Sequence, residues 1–313
     1  MELYNIIMEI CVQDGGIIEN LGAEKCYEII AKAGFTAIDW NGVEHALPGK
    51  QIANQDFAGC IYEKSDAEID AYFAPEVEAI RKNGLKISQA HAPFPAYIVG
   101  HPEVLEYMIG VYQKLIRLCD RVGCKNLVIH GISLKMQDRE NTPESIEKLN
   151  MHLYESLIPT LLECNVTVCL ENLFTWDDGA IEGVCADANE AVRYVDTLNK
   201  KAEREVFGFC LDTGHLLLLG KDFRSYVPIL GKRIKCLHIH DNNGVSDSHL
   251  APMTGKANWN DFCDTLHAVG YDGDLSFETF VQAEAAIKFD ESMLLPWLQL
   301  ICATGKYMGK RIQ

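Results

Sequence analysis

The amino-acid sequence predicts an α/β protein, a single (β/α)₈ TIM barrel that spans residues 1–313. Short apolar runs rich in β-branched and aromatic residues alternate with longer segments of helical period, and eight such units can be counted. No Pro/Ser/Gly-rich linker interrupts the chain, and barrels of this length commonly form one domain. These observations favour one undivided barrel.

The eight short apolar runs are the predicted strands. They cover residues 4–10, 35–40, 85–90, 126–130, 166–171, 206–212, 234–239 and 274–278. Their length and their content of Val, Ile, Leu and Phe are typical of strands buried in a parallel sheet.

The segments of helical period are the predicted helices. They cover residues 20–33, 66–83, 102–122, 142–164, 187–198, 222–230, 258–269 and 290–305. Thr142 offers an N-cap, and Pro143 follows it at the first helical position. Four glycines stand where a helix should end before the next strand: Gly34, Gly84, Gly123 and Gly270.

A doubly wound open sheet is the competing architecture. A nucleotide-binding sheet of that kind usually carries a glycine-rich phosphate loop after an early strand. The sequence contains neither a GxGxxG nor a Walker motif. The barrel is therefore the favoured prediction.

The charge of the chain argues against a nucleic-acid partner. It has 28 Lys and Arg residues against 45 Asp and Glu residues, a formal net charge of −17 at pH 7. Such a surface repels a phosphate backbone unless its positive residues are concentrated. The densest basic stretches, Lys200–Arg204 and Lys232–Lys235, are short and contain acidic or apolar residues.

The cysteines and the apolar segments point to a cytoplasmic protein. The 12 cysteines are scattered through apolar segments with no CxxC pair, which is typical of reduced core residues. The first residues, MELYNIIMEI, lack a basic region and a cleavage site, and no apolar run approaches the roughly 20 residues that span a bilayer. We expect no membrane association.

Most predicted strands end on, or run into, a polar residue that could act in an active site. The carboxyl ends of all barrel strands meet on one face, where barrel enzymes place their catalytic groups. From the third strand to the eighth, these residues are His91, His130, Glu171, Asp212, His238 and Glu278.

Four of these residues predict a metal site. Glu171, Asp212, His238 and Glu278 fall on four consecutive strands. Carboxylates at the ends of apolar strands cost several kcal/mol unless they are paired or bind a cation. Mixed oxygen and nitrogen ligands suit a divalent ion such as Mn²⁺, Zn²⁺, Co²⁺ or Mg²⁺, and the absence of cysteine argues against a purely structural zinc site.

Further polar residues could extend the site. His215 lies three residues after Asp212 and is expected to face the same centre. His91 and His130, together with Asp247 and His249 on the loop after the seventh strand, could bind a second ion or the substrate; ordinary core or loop roles are the alternative.

Two tryptophans could form walls of a substrate pocket. Trp40 and Trp176 lie at or just beyond strand ends, where a flat ring can stack on the C–H surface of a sugar. Core packing is the alternative for each.

Over nearly its whole length the sequence resembles the xylose-isomerase-like barrels. This superfamily contains sugar-phosphate isomerases, ketose 3-epimerases, inosose-processing enzymes and the metal-dependent apurinic endonucleases. The motifs that carry the resemblance are AGFTAIDW, HAPF, VIHG, LENL, LDTGH, HIHD, DSHL and GYDGDLSFE.

The resemblance to the epimerases implies roles for individual residues. Their metal is held by a Glu, an Asp, a His and a second Glu, which the motifs place on Glu171, Asp212, His238 and Glu278. HIHD offers two histidines, and His238 is preferred because the family's ligand lies three residues before an acid. The resemblance further implies that Glu171 and Glu278 exchange protons with a substrate carbon next to a carbonyl, through an enediolate, and that His215 contacts the substrate.

The sequence departs from the ketose 3-epimerases in two places. Gly244 stands where those enzymes have an arginine six residues after the ligand histidine, and Asp177 matches only loosely the acid after their fifth strand. Ketose specificity therefore does not transfer. The implied partner is a small-molecule sugar, phosphorylated or free, and the family suggests a homo-oligomer.

Other functions remain open on the same scaffold. A phosphodiesterase like endonuclease IV is one, since its trinuclear zinc set resembles His91, His130, Glu171, Asp212, His215, His238, Asp247, His249 and Glu278. A sugar lyase, dehydratase or deglycosidase is another. Sugar binding without catalysis is a third, although a neutral sugar needs no cluster of three carboxylates.

Overall fold

A barrel of parallel strands forms the centre of the protein. The computed structural model describes residues 8–313. The strands of the chain are β1 (Ile10–Gln13), β2 (Ala37–Trp40), β3 (Lys86–His91), β4 (Asn126–Val128), β5 (Thr167–Glu171), β6 (Phe174–Asp177), β7 (Gly179–Glu182), β8 (Phe207–Asp212), β9 (Ile234–His238) and β10 (Leu275–Phe277). All except β6 and β7 belong to one eight-stranded parallel sheet.

The sheet curls until its two edges meet. Its order is β10-β1-β2-β3-β4-β5-β8-β9, and an isolated parallel bridge between Ile239 and Phe277 links the last strand to the first. In this register Glu171 lies beside Cys210, and Asp212 lies beside His238. The strand ends that the sequence singled out therefore stand next to one another on one face.

Helices surround the barrel and cover its rim. They are α1 (Ile17–Leu21), α2 (Ala23–Ala33), α3 (Gly42–His45), α4 (Gly49–Ala53), α5 (Asp66–Lys82), α6 (Pro102–Val122), α7 (Pro143–Glu155), α8 (Ile158–Glu163), α9 (Ala188–Ala202), α10 (Thr213–Leu218), α11 (Phe223–Leu230), α12 (Trp259–Val269), α13 (Phe280–Phe289) and α14 (Leu294–Ile312). As predicted, α2, α6 and α12 end at glycines, which take the left-handed conformation there.

The barrel strands are buried because both of their faces are covered. Strands β1, β2 and β8 are buried at every position. All 12 cysteines are buried and free, which agrees with the prediction of reduced core residues. Among residues 8–313, no helix has the length and apolar character of a membrane span.

Three predicted elements differ most clearly from the structure. The first strand was predicted at 4–10, of which 4–7 lie outside the described residues; Met8 and Glu9 precede the strand, which continues to Gln13. The helix predicted at 142–164 is divided into α7 and α8, where Pro159 supplies no amide for a continuous helix. The helix predicted at 290–305 begins at Leu294 and continues to Ile312.

Candidate metal-binding active site

A cavity of about 940 Å³ opens at the carboxyl end of the barrel. Its walls include eight of the nine predicted acidic and histidine site residues: His91, His130, Glu171, His215, His238, Asp247, His249 and Glu278. The ninth, Asp212, is fully buried. The barrel therefore brings the predicted metal and substrate residues together.

Three of the four predicted metal ligands are carboxylates, and they lie around a nitrogen of the fourth, His238. His238 Nδ1 lies 2.9 Å from Glu171 Oε1 and 3.9 Å from both Asp212 Oδ2 and Glu278 Oε2. All four residues are at most 8% exposed. Because three carboxylates share one buried volume, their mutual repulsion must be offset by positive charge, from protons or from a cation.

A second group shares Glu171 with the first. His130 Nε2 lies 2.9 Å from Glu171 Oε2, and His91 Nε2 lies 3.0 Å from His130 Nε2 and 3.9 Å from the same carboxylate oxygen. Three ligand-type atoms thus face one another on the ends of β3, β4 and β5. They could hold a second ion next to the first.

A third group of ligand-type side chains lies around Asp247. Asp247 Oδ2 is 3.2 Å from His249 Nε2 and 3.6 Å from His215 Nε2. His240 joins this group, because its Nε2 is 3.0 Å from both oxygens of Asp212 and its Nδ1 is 3.9 Å from Asp247 Oδ1. Both histidines of the HIHD motif therefore point into the site.

Asp212 is positioned by the start of α10. Its side chain caps the helix by accepting a hydrogen bond of 2.7 Å from the backbone N–H of His215. Its own backbone exchanges two hydrogen bonds with the Asn172 amide, at 2.8 and 2.9 Å. The DTGH sequence thus places an acid at the strand end and a histidine within the first helical turn.

Three histidines are oriented by backbone carbonyls. The Nδ1–H groups of His91, His215 and His249 donate to the carbonyl oxygens of Ala92, Asn172 and Glu278, at 2.9, 3.0 and 3.1 Å. This bond occupies Nδ1 and leaves Nε2 of each ring directed at a carboxylate, Glu171 for His91 and Asp247 for the other two. Histidines that bind metals are commonly oriented in this way.

The acids shift the pKa values of these histidines upward. Burial opposes a charge on His215, but Asp212 and Asp247 outweigh it and raise its pKa to about 10. Burial likewise opposes a charge on His91 and His249, and their neighbouring acids raise each pKa to about 9. Without a metal, the site therefore balances its carboxylates with protons on imidazoles.

The donor set fits a divalent cation. His240 Nδ1 and Asp247 Oδ1 are buried and have no hydrogen-bond partner among the described residues. An unpaired buried carboxylate oxygen is costly, and a bound cation removes that cost. Groups of three ligand-type atoms drawn from these residues lie within 4.8 Å of one another.

The comparisons with known proteins agree with this architecture. The family model described as "Xylose isomerase-like TIM barrel" matches residues 27–296. The chain belongs to this family. The xylose isomerase-like resemblance stated from the motifs is thereby confirmed.

Individual relatives of this xylose isomerase-like chain are distant. An uncharacterized protein y4fM of Sinorhizobium fredii is 26% identical over 278 residues, covering 82% of this chain and 81% of the relative. A probable endonuclease 4 of Mycoplasma pneumoniae is 25% identical over 187 residues, covering 55% of this chain and 58% of the relative. A structure of D-psicose 3-epimerase with D-tagatose from Clostridium cellulolyticum H10 has a TM-score of 0.68 at 16% identity, covering 96% of this chain and 99% of that one.

Asp39 is a buried site residue of this xylose isomerase-like barrel that the sequence analysis missed. Its Oδ2 lies 3.4 Å from His238 Nε2 and accepts hydrogen bonds from Gln89 Nε2 at 2.7 Å and Ser276 Oγ at 3.1 Å. The sequence AIDW contained the signal, an acid inside an apolar strand. Gln13 was also missed; its Nε2 donates to Glu278 Oε1 at 2.8 Å.

The two tryptophans predicted as pocket walls occupy different places in the structure. Trp40 is fully buried, packs edge-on against Phe73 and donates from Nε1 to Glu76 Oε2 at 2.8 Å. It is a core residue and not a pocket wall, which corrects the prediction. Trp176 is 49% exposed and lines the cavity on the hairpin of β6 and β7.

Proposed function

We propose that this protein is a metal-dependent sugar isomerase or epimerase, acting by proton transfer at a carbon next to a carbonyl. The observation that carries the proposal is the convergence of Glu171, Asp212 and Glu278 on His238 Nδ1 at the floor of the cavity. Two carboxylates beside a cation site form a reasonable acid–base pair for a carbon acid. The similarity to epimerase structures at low identity supports the fold on which this chemistry would occur.

Glu171, Asp212, His238 and Glu278 would hold a divalent ion such as Mn²⁺, Zn²⁺, Co²⁺ or Mg²⁺. When bound, such an ion polarises a carbonyl and stabilises negative charge on its oxygen. The protein's own contribution is to exclude water from these four side chains and to fix their orientation. Asp39 beneath His238 and the backbone partners of Asp212 serve this purpose.

Glu171 and Glu278 would move the proton. Glu278 is held by Gln13 through Oε1, so that Oε2 remains directed at the histidines of the site. Glu171 is 1% exposed, and its Oε2 faces His130 Nε2 at 2.9 Å. His215 would donate to a substrate oxygen from Nε2, since its Nδ1 is used by the carbonyl of Asn172.

Metal content and hydrogen exchange test the proposal together. The metal bound by purified wild type and by a Glu171→Ala/Asp212→Ala variant would be measured by mass spectrometry. Both proteins would then be incubated in D₂O with free and phosphorylated ketoses and with keto-inositols, and deuterium at the carbon next to the carbonyl would be followed by NMR. We expect about one ion per wild-type chain, metal-dependent exchange with one substrate class, and neither property in the variant. Wild type without bound metal under metal-replete conditions would contradict the proposal.

Phosphodiester hydrolysis is the second candidate, favoured by the two outer groups of ligand-type residues. His91 and His130 beside Glu171, and His215 and His249 beside Asp247, would allow three ions instead of one. The cavity wall argues for the sugar chemistry, because among the residues lining it Lys135 is the only Lys or Arg beside six carboxylates. About three ions per chain and metal-dependent nicking of abasic-site DNA would favour the second candidate.

A further inference from the structure

The wall of the cavity formed by β1, β2 and their loops carries two unused hydrogen-bond acceptors. Gln13 Oε1 and Asn41 Oδ1 are buried and have no partner among the described residues, although both side chains line the cavity. The two residues are 3% and 6% exposed. Neither is one of the ligand-type residues around His238. Buried amide oxygens without a partner are uncommon, and a ligand is one way to satisfy them.

The orientation of the Gln13 amide is set by a carboxylate. Gln13 Nε2 lies 2.8 Å from Glu278 Oε1. An ionised carboxylate only accepts hydrogen bonds, so the NH₂ end of the amide must face it. Gln13 therefore presents its oxygen to the rest of the cavity.

The orientation of the Asn41 amide follows from a short relay. His45 Nδ1 pairs with Glu19 Oε1, which raises the pKa of the ring, so Nε2 accepts a hydrogen bond only above that pKa, where the ring is neutral. Asn41 Nδ2 lies 3.2 Å from this Nε2. Above that pKa, Asn41 donates from Nδ2 to His45, and its Oδ1 has no partner among the described residues.

Gly15 leaves open the space beside the two side-chain amides. A Cβ atom at Gly15 would lie 2.8 Å from Asn41 Nδ2 and 3.3 Å from Gln13 Oε1. Both amides therefore border one small volume, which only a residue without a side chain leaves free. Any larger residue at this position would intrude on it.

The groups around this volume do not favour anions. Glu19 and Glu44 line the same wall, where they pair with His45 and His91, and Glu284 closes it from α13. The single lysine of the cavity, Lys135, belongs to the loop after β4. Amide oxygens bind hydrogen-bond donors such as hydroxyl groups, whereas an ionised phosphate or carboxylate oxygen can only accept and finds no donor in them.

We propose that Gln13, Asn41 and Gly15 form a polyol subsite, separate from the metal ligands, that binds neighbouring hydroxyl groups of an uncharged ring. The proposal deepens the proposed function, on which it rests: the metal ligands hold the reacting carbonyl, and the polyol subsite holds the other end of the same molecule. The substrate is accordingly an unphosphorylated sugar or cyclitol derivative.

Binding without turnover tests the polyol subsite. Saturation-transfer NMR on protein dialysed against EDTA would measure the affinity for myo-inositol and D-fructose, and for their monophosphates. Gly15→Ala fills the volume, and Asn41→Ala removes one acceptor without touching Glu278. Asn54→Ala, on an exposed position of the chain, is the matched control. Circular dichroism melts would establish that all variants fold.

We expect the neutral probes to bind wild type and the Asn54 control equally, and each of the other two variants about threefold to tenfold more weakly, the effect of losing one neutral hydrogen bond. The monophosphates should bind more weakly than the neutral probes. Absence of binding by every neutral probe, equal binding by all variants, or tighter binding of the monophosphates would overturn the proposal. Because no turnover is measured, these outcomes are separate from a failure of metal-dependent exchange.

Discussion

Asp39 lies directly behind His238, with its Oδ2 3.4 Å from His238 Nε2 on the side of the ring away from Glu171. The carboxylate is itself held by Gln89 and Ser276. A buried acid on one nitrogen of an imidazole directs the proton to that nitrogen and leaves the other for a metal. The pair thus links β2 to His238, the proposed metal ligand on β9.

Asp39→Asn should weaken metal binding without unfolding the protein. Asn is isosteric but carries no charge, so it no longer favours the ring orientation that directs Nδ1 to the other ligands. We expect the dissociation constant for Mn²⁺ to rise about 10- to 100-fold, as for other partners of metal-binding histidines. Titration with Mn²⁺ followed by electron paramagnetic resonance would measure it. Asp272→Asn, at an exposed loop position, is the control; equal affinity in both variants would remove Asp39 from this role.

The barrel and the positions of its strand-end acids were predictable from sequence because they depend on local patterns. Strand periodicity placed Glu171 and Asp212 at strand ends, and these ends meet once the sheet closes. Asp39 was not predicted as a site residue because it stands one residue before the end of its strand, and only the packing beneath His238 reveals its partner.

Other differences arose from contacts distant in sequence. In the first strand Ile10 pairs with Leu275 and Gln13 with Asp39, contacts that the local sequence pattern does not reveal. Trp40 is in the core because Glu76, 36 positions later, accepts its N–H. The hairpin of β6 and β7 could have been predicted, since Asp178-Gly179 between alternating residues is a hairpin signal.

Replacing either of the two proposed proton-transfer residues should reduce catalysis without unfolding the protein. Glu171→Gln and Glu278→Gln keep the side-chain volume but cannot accept a proton from carbon. We expect each to reduce the rate of deuterium exchange into the substrate about 10²- to 10⁴-fold, the usual contribution of an acid–base residue. Glu163→Gln, exposed and remote on α8, should behave as wild type. Ordinary exchange rates in both site variants would eliminate these two residues as the bases.

Replacing Trp40 should mainly reduce stability, whereas replacing Trp176 should mainly weaken substrate binding. Trp40→Ala removes a fully buried ring and should lower the free energy of unfolding by about 3–5 kcal/mol. Trp176→Ala, at a half-exposed position, should change it by about 1 kcal/mol or less but raise the KM for the sugar substrate. Denaturant unfolding and initial-rate kinetics measure the two effects. A large stability loss at Trp176 with an unchanged KM would show that the hairpin is structural.

Asp14 should make stability fall as pH rises. Burial raises the pKa of its carboxyl to about 8. The carboxyl accepts hydrogen bonds of 2.8 Å from the backbone N–H of Asn41 and from the Tyr27 hydroxyl, which lower the pKa but do not outweigh burial. An unfolded Asp titrates near pH 3.9, roughly. The folded state therefore holds a proton that the unfolded chain has lost, so this contribution is complete below about pH 4 and disappears as pH rises through about 8.

Asp14→Asn tests this linkage, because the amide keeps an oxygen for the Asn41 N–H and cannot ionise. Between about pH 4 and pH 8 we expect the free energy of unfolding of wild type to decrease relative to the variant, by an amount on the order of a few kcal/mol. Urea unfolding at several pH values gives this difference, and Asp272→Asn supplies the curve for an exposed carboxyl. If the free energies of unfolding of wild type and Asp14→Asn change in parallel across this pH range, Asp14 is ionised in the folded protein and its two hydrogen bonds outweigh the effect of its burial.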